Sequence, residues 1–242
     1  MRLDSWLVQN NYLESREKAH LEIEAGNICI NKKIAKKPSN QVEENDLVEM
    51  INRRFRFVSK EGSKLERAIQ TFELDFSNKT VLDVGTGIGG FTDCALQYGA
   101  TKVYALDTIA NQLFASLREN EKVVFYEETD IRAFTLAQLD NAPVDIIVAD
   151  VSYLSLTLVF PHLSSLLKAD GYVIALIKPQ FEHDPNTKIK KGVINDAKNQ
   201  QQAILKVKGS AKEHGFRCEK MIETLVEDKK NLEFLGLWKK TL

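Results

Sequence analysis

No stretch of this chain approaches the roughly 20 consecutive apolar residues that cross a bilayer. Its most apolar run, Tyr172 to Ile177, has the length of a strand. The sequence thus excludes a membrane-spanning helix, and no membrane partner is expected. Cysteine is scarce: Cys29, Cys94 and Cys218 form an odd, scattered set, which excludes a disulfide framework and shows no metal-ligand spacing. His20, His162, His183 and His214 are equally dispersed, so no metal is expected. Charge of one sign is also lacking. The net charge is −1, so nucleic-acid contact must come from a local patch rather than a global basic field. The opening Met1-Arg2-Leu3-Asp4 turns charged at once and does not read as a signal peptide. A reducing, cytoplasmic setting is expected.

What is present has the composition of a globular protein, 43% hydrophobic and 28% charged, in two parts with different patterns. Residues 1–58 predict a small α+β module. Asp4 is placed to cap a short helix over Ser5 to Gln9. Glu14 to Ala25 reads as a second helix, stopped by Gly26. Asn27 to Lys33 reads as a strand and turn, and Val42, Leu47 and Met50 as a final strand pair. A core of fewer than 60 residues is marginal alone. The segment holds ten Lys or Arg and nine Asp or Glu, but the cations cluster. Lys32, Lys33, Lys36 and Lys37 surround one turn, and Arg53, Arg54 and Arg56 interleave with Phe55 and Phe57. Such patches suit phosphate contacts and base stacking; a solvated turn is the plainer alternative.

From Thr80 onward strands alternate with helices. Strands are predicted at 80–85, 102–107, 123–127, 144–151, 171–178, 217–226 and 232–239, and helices at 90–98, 110–118, 156–167 and 200–214. This pattern implies an α/β fold, a doubly wound, Rossmann-like parallel sheet. The domain boundaries expected are 1–58, a linker at 59–63, and 64–242.

The first strand of this part runs into Asp83-Val84-Gly85-Thr86-Gly87-Ile88-Gly89-Gly90. Gly85, Gly87 and Gly90 match the fingerprint of a nucleotide-binding strand-to-helix turn, with Gly89 as an extra and Phe91 next in line. Asp107 ends the following strand, 22 residues after Gly85, where a carboxylate can accept hydrogen bonds from ribose hydroxyls. Asp130 follows the third strand, within reach of an adenine amino group. Nicotinamide dehydrogenases and class I methyltransferases share this arrangement. Asp83 favours the second, because a carboxylate there suits the ammonium of S-adenosylmethionine and repels a pyrophosphate.

The stretches Asp83 to Cys94, Val148-Ala149-Asp150-Val151-Ser152, Ile177-Lys178-Pro179-Gln180-Phe181-Glu182 and Asn231-Leu232-Glu233-Phe234 resemble the hemolysin-A-type ribosomal RNA 2′-O-methyltransferases, with an FtsJ-like fold. Arg2-Leu3-Asp4 and Ala25 to Asn31 resemble the RNA-binding domain of ribosomal small-subunit protein four. The resemblance covers almost the whole chain. It implies S-adenosyl-L-methionine as cofactor, ribosomal RNA or ribosomal subunits as partner, and a Lys-Asp-Lys-Glu tetrad matched by Lys64, Asp150, Lys178 and Glu233. It also implies that the N-terminal module binds RNA, where Arg2 is a further candidate contact and Arg16 and Lys18, on the second helix, would extend the basic patch if they share its face.

The chemistry is consistent with that set. A ribose hydroxyl is a poor nucleophile, and a lysine whose pKa is lowered by burial and a neighbouring cation can take its proton or stabilise the alkoxide. Asp150, which also borders the cofactor, would orient Lys178, while Lys64 and Glu233 would position the ribose. Two segments depart from the family pattern: Val58-Ser59-Lys60-Glu61-Gly62 where Val-Ser-Arg-Gly-Gly is usual, and Glu227-Asp228-Lys229-Lys230 where a Gly-Pro-Glu-Gly-like loop is usual. A non-catalytic RNA-binding or assembly factor is therefore a second hypothesis. A membrane-active hemolysin is a third, opposed by the lack of an apolar or strongly amphipathic segment. Cys94 reads as packed rather than catalytic, and Phe181-Glu182 with 188–192 as a flap or an exposed loop.

Overall fold

The computed structural model describes residues 1–13, 15–51, 56–183, 194, 196–224 and 231–241. Arg53, Arg54 and Phe55, the 188–192 segment and residues 227–230 lie outside the described residues.

The N-terminal part packs helices α1 (Leu3–Gln9) and α2 (Arg16–Glu24) on a small antiparallel sheet of β1 (Ile28–Ile30), β2 (Lys33–Ile34) and β3 (Val48–Met50), in the order β2-β1-β3. Leu3, Leu7, Ala19, Ile23, Ile28 and Val48 form its core. Asn31 and Lys32 take φ of 50° and 65°, the left-handed pair that closes a tight hairpin with the native strand twist. Two expectations change here. Asp4 is not the cap of α1 but a buried residue inside it, because three side chains converge on its carboxylate (below). The final strand pair reduces to β3; Val42 is buried outside any strand, its N–H bonded to Met1 O at 2.7 Å.

The second part begins with α3 (Glu61–Phe72), so residues 61–63 are its first turn. Leu65, Ala68, Ile69 and Phe72 form its buried stripe at helical spacing. Then follow β4 (Thr80–Val84), α4 (Gly90–Gln97), β5 (Lys102–Leu106), α5 (Ala115–Arg118), β6 (Val123–Tyr126), β7 (Val144–Ala149), α6 (Phe160–Leu163), β8 (Leu167–Ile177), α7 (Pro179–Glu182), α8 (Ala197–Glu213), β9 (Phe216–Glu223) and β10 (Phe234–Lys240). The seven strands are ordered β6-β5-β4-β7-β8-β10-β9. All run parallel except β10, which is antiparallel to both neighbours.

Alternate residues feed two cores, one on each face. Ile146 and Val148 pack with Leu65, Ile69 and Phe91, while Ile147 and Ala149 pack with Phe160, Val207 and Trp238. The doubly wound expectation stands, with two helices shortened. Only Ala115–Arg118 of the 110–118 span is helical, because Asp107 Oδ1 captures the Ile109 N–H at 3.0 Å and Asn111 turns left-handed. The 156–167 span divides into a 3₁₀ turn at Leu156–Leu158 and α6, with Pro161 in the first turn, and Leu167 already belongs to β8.

The two parts touch. The Tyr12 ring packs at a tilt against that of Phe114, 6.1 Å between centroids, the Asn11 side chain donates to Asn111 O, and the Ala115 N–H donates to Asn11 O at 3.3 Å.

Candidate active site

The order of strands decides where the site lies. β4 and β7 are neighbours, but the chain leaves them in opposite directions across the sheet, so a crevice opens beyond their C-terminal ends. Gly85 follows β4, Asp107 follows β5, Asp130 lies four residues past β6, Asp150 follows β7 and Lys178 follows β8. Because β10 runs the other way, its first residue, Phe234, pairs with Ile177 at the end of β8. Glu233 thereby arrives at the same edge from the opposite end of its strand.

A cavity of about 710 Å³ fills this crevice, within the size range of cofactor sites. Gly85, Gly87, Phe91, Asp107, Asp130, Asp150 and Lys178 line it. The glycines are required at two points. Gly85 has φ +80°, and a Cβ there would meet Asp150 O at 2.8 Å; Gly89 has φ +101°, and a Cβ would meet Leu117 Cδ1 at 2.3 Å. Gly89 and Gly90 are not among the lining residues. Gly90 is bare for a contact outside the loop: a Cβ would meet Ser59 Oγ at 2.2 Å and Gly62 N at 3.0 Å. Its bareness admits the start of α3, which carries Lys64. Asp93 secures the same approach, its Oδ2 accepting the Val58 N–H at 2.8 Å.

The acidic residues divide by what already holds them. Asp107 accepts from the Gly87 N–H at 2.8 Å and the Ile109 N–H at 3.0 Å, shaping the loop while bordering the cavity. Asp130 caps the 3₁₀ turn at Ile131–Ala133 and takes the Arg132 guanidinium on both oxygens, at 3.0 and 2.6 Å. Asp83 is fully buried behind the loop and does not line the cavity. Its Oδ2 accepts from Thr86 at 2.9 Å and Thr92 at 2.6 Å, while its Oδ1 has no hydrogen-bond partner among the described residues. Burial above all, with the nearby charges of Asp150 and Asp107, pushes its carboxyl up to about 7 against the two threonine bonds.

The four residues matched to the tetrad come together. Lys178 Nζ lies 2.5 Å from Asp150 Oδ1 and donates to Ser152 Oγ at 3.0 Å. Lys64 Nζ lies 2.7 Å from Glu233 Oε2 and 3.3 Å from Glu61 Oε1. Asp150 also acts electrostatically on Lys64, which joins the two pairs. Here the expectation of a lysine with lowered pKa changes. Burial does pull Lys64 down, but the Glu233 hydrogen bond and the charges of Glu61, Glu233 and Asp150 outweigh it and hold the ammonium above its ordinary value. The charged partner of Lys178 is likewise a carboxylate, not a cation.

Several residues at the site went unread in the sequence. Ser59, Lys60 and Glu61 line the cavity. Tyr153, one residue beyond the Val-Ala-Asp-Val-Ser stretch, is 92% exposed at the rim with φ 62°. Its ring lies 5.1 Å from that of Phe181. An exposed aromatic held in left-handed backbone is a strained arrangement that persists only where its surroundings impose it. Cys94 is buried and its thiol is pushed up by that burial, as a packed cysteine should be.

In the N-terminal part, Lys32, Lys33, Lys36 and Lys37 are all exposed around the β1–β2 turn and the segment after it. Arg2 and Arg16 bond Asp4 with their guanidiniums, at 3.0 and 2.5 Å, while their side chains stay 47% and 57% exposed, and His20 joins them at 3.0 Å. Lys18 is half-buried on the same helix as Arg16. Among the described residues no group of three His, Cys, Asp or Glu is placed to hold a metal, and no helix is long and apolar enough to cross a membrane.

Comparison with known proteins bears on the two parts of the chain in turn. Residues 57–240 match the model of the FtsJ-like methyltransferases, and residues 1–48 match the S4 domain. Hemolysin A of Brachyspira hyodysenteriae is 34% identical over 98% of both chains. The 16S/23S rRNA (cytidine-2′-O)-methyltransferase of Mycobacterium tuberculosis is 33% identical over 89% of this chain and 80% of its own. A solved structure described as a hemolysin, from Streptococcus thermophilus, superposes with a TM-score of 0.74 at 30% identity, covering 100% of this chain and 88% of that one.

Proposed function

Because the chain belongs to the FtsJ-like methyltransferase family, we propose that it transfers a methyl group from S-adenosylmethionine to a ribose 2′-oxygen of ribosomal RNA. The observation that carries the reading is the meeting of Lys178–Asp150 and Lys64–Glu233 at one edge of the sheet, beside a cavity bordered by the glycine loop.

The cavity's donors suit the cofactor. Asp107 and Asp130 end or follow neighbouring strands where ribose hydroxyls and an adenine amino group would be met, and Phe91 adds an apolar wall. Gly87 leaves space, since only Gln112 Oε1 lies as near as 4.0 Å to the position of a Cβ. Asp83, expected to meet the ammonium, acts at one remove by fixing Thr86 beneath the loop. When bound, the cofactor supplies an electrophilic methyl on a positively charged sulfur.

The chain's own residues then prepare the acceptor. Lys178 places positive charge where the ribose oxygen loses its proton, and Asp150, on the same nitrogen, holds it in direction and offers the adjoining basic oxygen. Lys64, kept charged by Glu233 and Glu61, adds a second cation to the acceptor's surroundings. In-line positioning carries most of the acceleration. Tyr153 offers a π face to an unstacked base, and the exposed lysines of the N-terminal part offer phosphate contacts.

The test is mass-spectrometric mapping of 2′-O-methyl sites on ribosomal RNA after incubation with purified protein and cofactor. New sites that vanish with Lys178→Ala support the proposal. Cofactor binding with no transfer to either subunit would overturn it in favour of a non-catalytic RNA-binding factor.

A further inference from the structure

Asp150 and Lys178 end adjacent parallel strands, but neither strand fixes the loops that follow. The Asp150 loop continues through Ser152, Tyr153 and Ser155 into the 3₁₀ turn at Leu156–Leu158, and the Lys178 loop enters the one-turn helix α7. Glu182, the last residue of α7, is 2% exposed. Its Oε1 accepts the Leu156 N–H at 2.7 Å, and its Oε2 accepts from Ser155 Oγ at 2.5 Å. Ser155 Oγ in turn accepts the Thr157 N–H at 3.2 Å. A second tie holds α7 from outside, where Lys206 of α8 donates to Glu182 O at 3.0 Å.

Burying a carboxylate is costly unless hydrogen bonds compensate, and burial here pushes the Glu182 carboxyl above its ordinary value despite the two bonds. A buried acid joining the two loops that start from the reactive groups has no need to be there for packing alone. An apolar residue would fill the same space without the cost.

We propose that Glu182 is a positioning residue for methyl transfer: it clamps the loop after Asp150 to the loop after Lys178 and so sets the distance between the two groups. Glu182 lies four positions beyond Lys178 and Ser155 five beyond Asp150, so a slack clamp displaces the pair directly. The Tyr153–Phe181 ring contact lies across the same two loops and moves with them. This inference rests on the methyltransferase reading above.

The test compares Glu182→Ala, Glu182→Gln and Ser155→Ala in the full chain. Three readouts are taken: methyl-transfer kinetics, S-adenosylhomocysteine affinity by calorimetry, and amide hydrogen exchange across residues 150–158. Misplacement of about 1 Å costs on the order of 100-fold in rate. Glu182→Ala is expected to lower kcat by about that factor, with cofactor affinity unchanged and faster exchange at Leu156. Glu182→Gln still accepts from Leu156 and can donate to Ser155 Oγ, so it should recover most of the rate. Ser155→Ala, which keeps the carboxylate, should fall between them. Unchanged kcat in Glu182→Ala, or a loss of cofactor affinity matching the loss of rate, would overturn the clamp. If the wild type methylates no RNA, the functional reading fails, and the exchange of the Leu156 amide still decides whether Glu182 holds the two loops.

Discussion

Asp4 and Asp83 are both fully buried carboxylates, one in each part of the molecule, and they are treated in opposite ways. Asp4 is saturated: Arg2, Arg16, His20 and the Ser5 N–H all bond it. Arg2 foremost, against the cost of burial, holds it far below the usual carboxylate range. Asp83 has one oxygen without a hydrogen-bond partner among the described residues and is pushed up to about 7. The N-terminal part satisfies its buried charge and displays its lysines outward, which suits a rigid surface for a polyanion. Behind the glycine loop, the sheet edge instead holds a carboxyl by two threonine hydroxyls, which braces the loop that borders the cavity. The difference separates a carboxylate anchored by cations from a carboxyl that braces a cavity loop through neutral hydroxyls.

Substitutions can break this division. The largest effect is expected from Lys178→Ala, which should lower methyl transfer on the order of 10³-fold. Affinity for S-adenosylhomocysteine and for ribosomal RNA should be unchanged; a parallel loss of RNA affinity would show that the two parts are not separable. Replacing Lys32, Lys33, Lys36 and Lys37 together by Ala should act on the other side. RNA affinity should fall about 10- to 100-fold, and the slope of log affinity against log salt should flatten by up to about 3, while calorimetry gives the same cofactor affinity as wild type.

The two carboxylates themselves give smaller effects of opposite sign. Asp83→Asn removes an ionisation that the folded state resists. With the folded pKa raised, wild-type stability falls as pH rises from 3.8 to about 7. The variant's advantage should be full above that window and absent below it. At pH 8 the ligand-free protein should melt about 2–4 °C higher, the shift that roughly 1 kcal/mol produces in a chain of this size. Asp4→Asn should melt lower at neutral pH. Because the folded pKa of Asp4 is depressed, its contribution is present above 3.8 and lost as pH falls toward the folded value, so the two proteins should converge in acid. Equal signs for the two variants would dissolve the comparison.

Much of the site was legible because its signals are local. Gly85 and Asp107 are set by a turn and a strand end, and Asp150 and Lys178 stand at the ends of strongly apolar strands. Other features were not legible. The helix over Glu61–Phe72 shows a regular apolar stripe, yet its charged first turn, with the two residues before it, reads as linker. Asp4 has the look of a helix cap from its neighbours alone; only the arrival of Arg16 and His20 from α2 makes it a buried anchor. Glu182 reads as a loop residue until the turn at Ser155–Leu156 is folded over it.

By itself the sequence determined the alternation of strands and helices, the glycine turn and the family motifs, since each depends on residues close together along the chain. The tertiary structure decided which charges meet. Lys64 reaches Glu233 across 169 positions only because β10 runs antiparallel beside β8. Asp83 lies behind the cavity, rather than in it, because Thr86 and Thr92 close over it. Charge pairing depends on distance and burial, and neither exists until the sheet has been ordered.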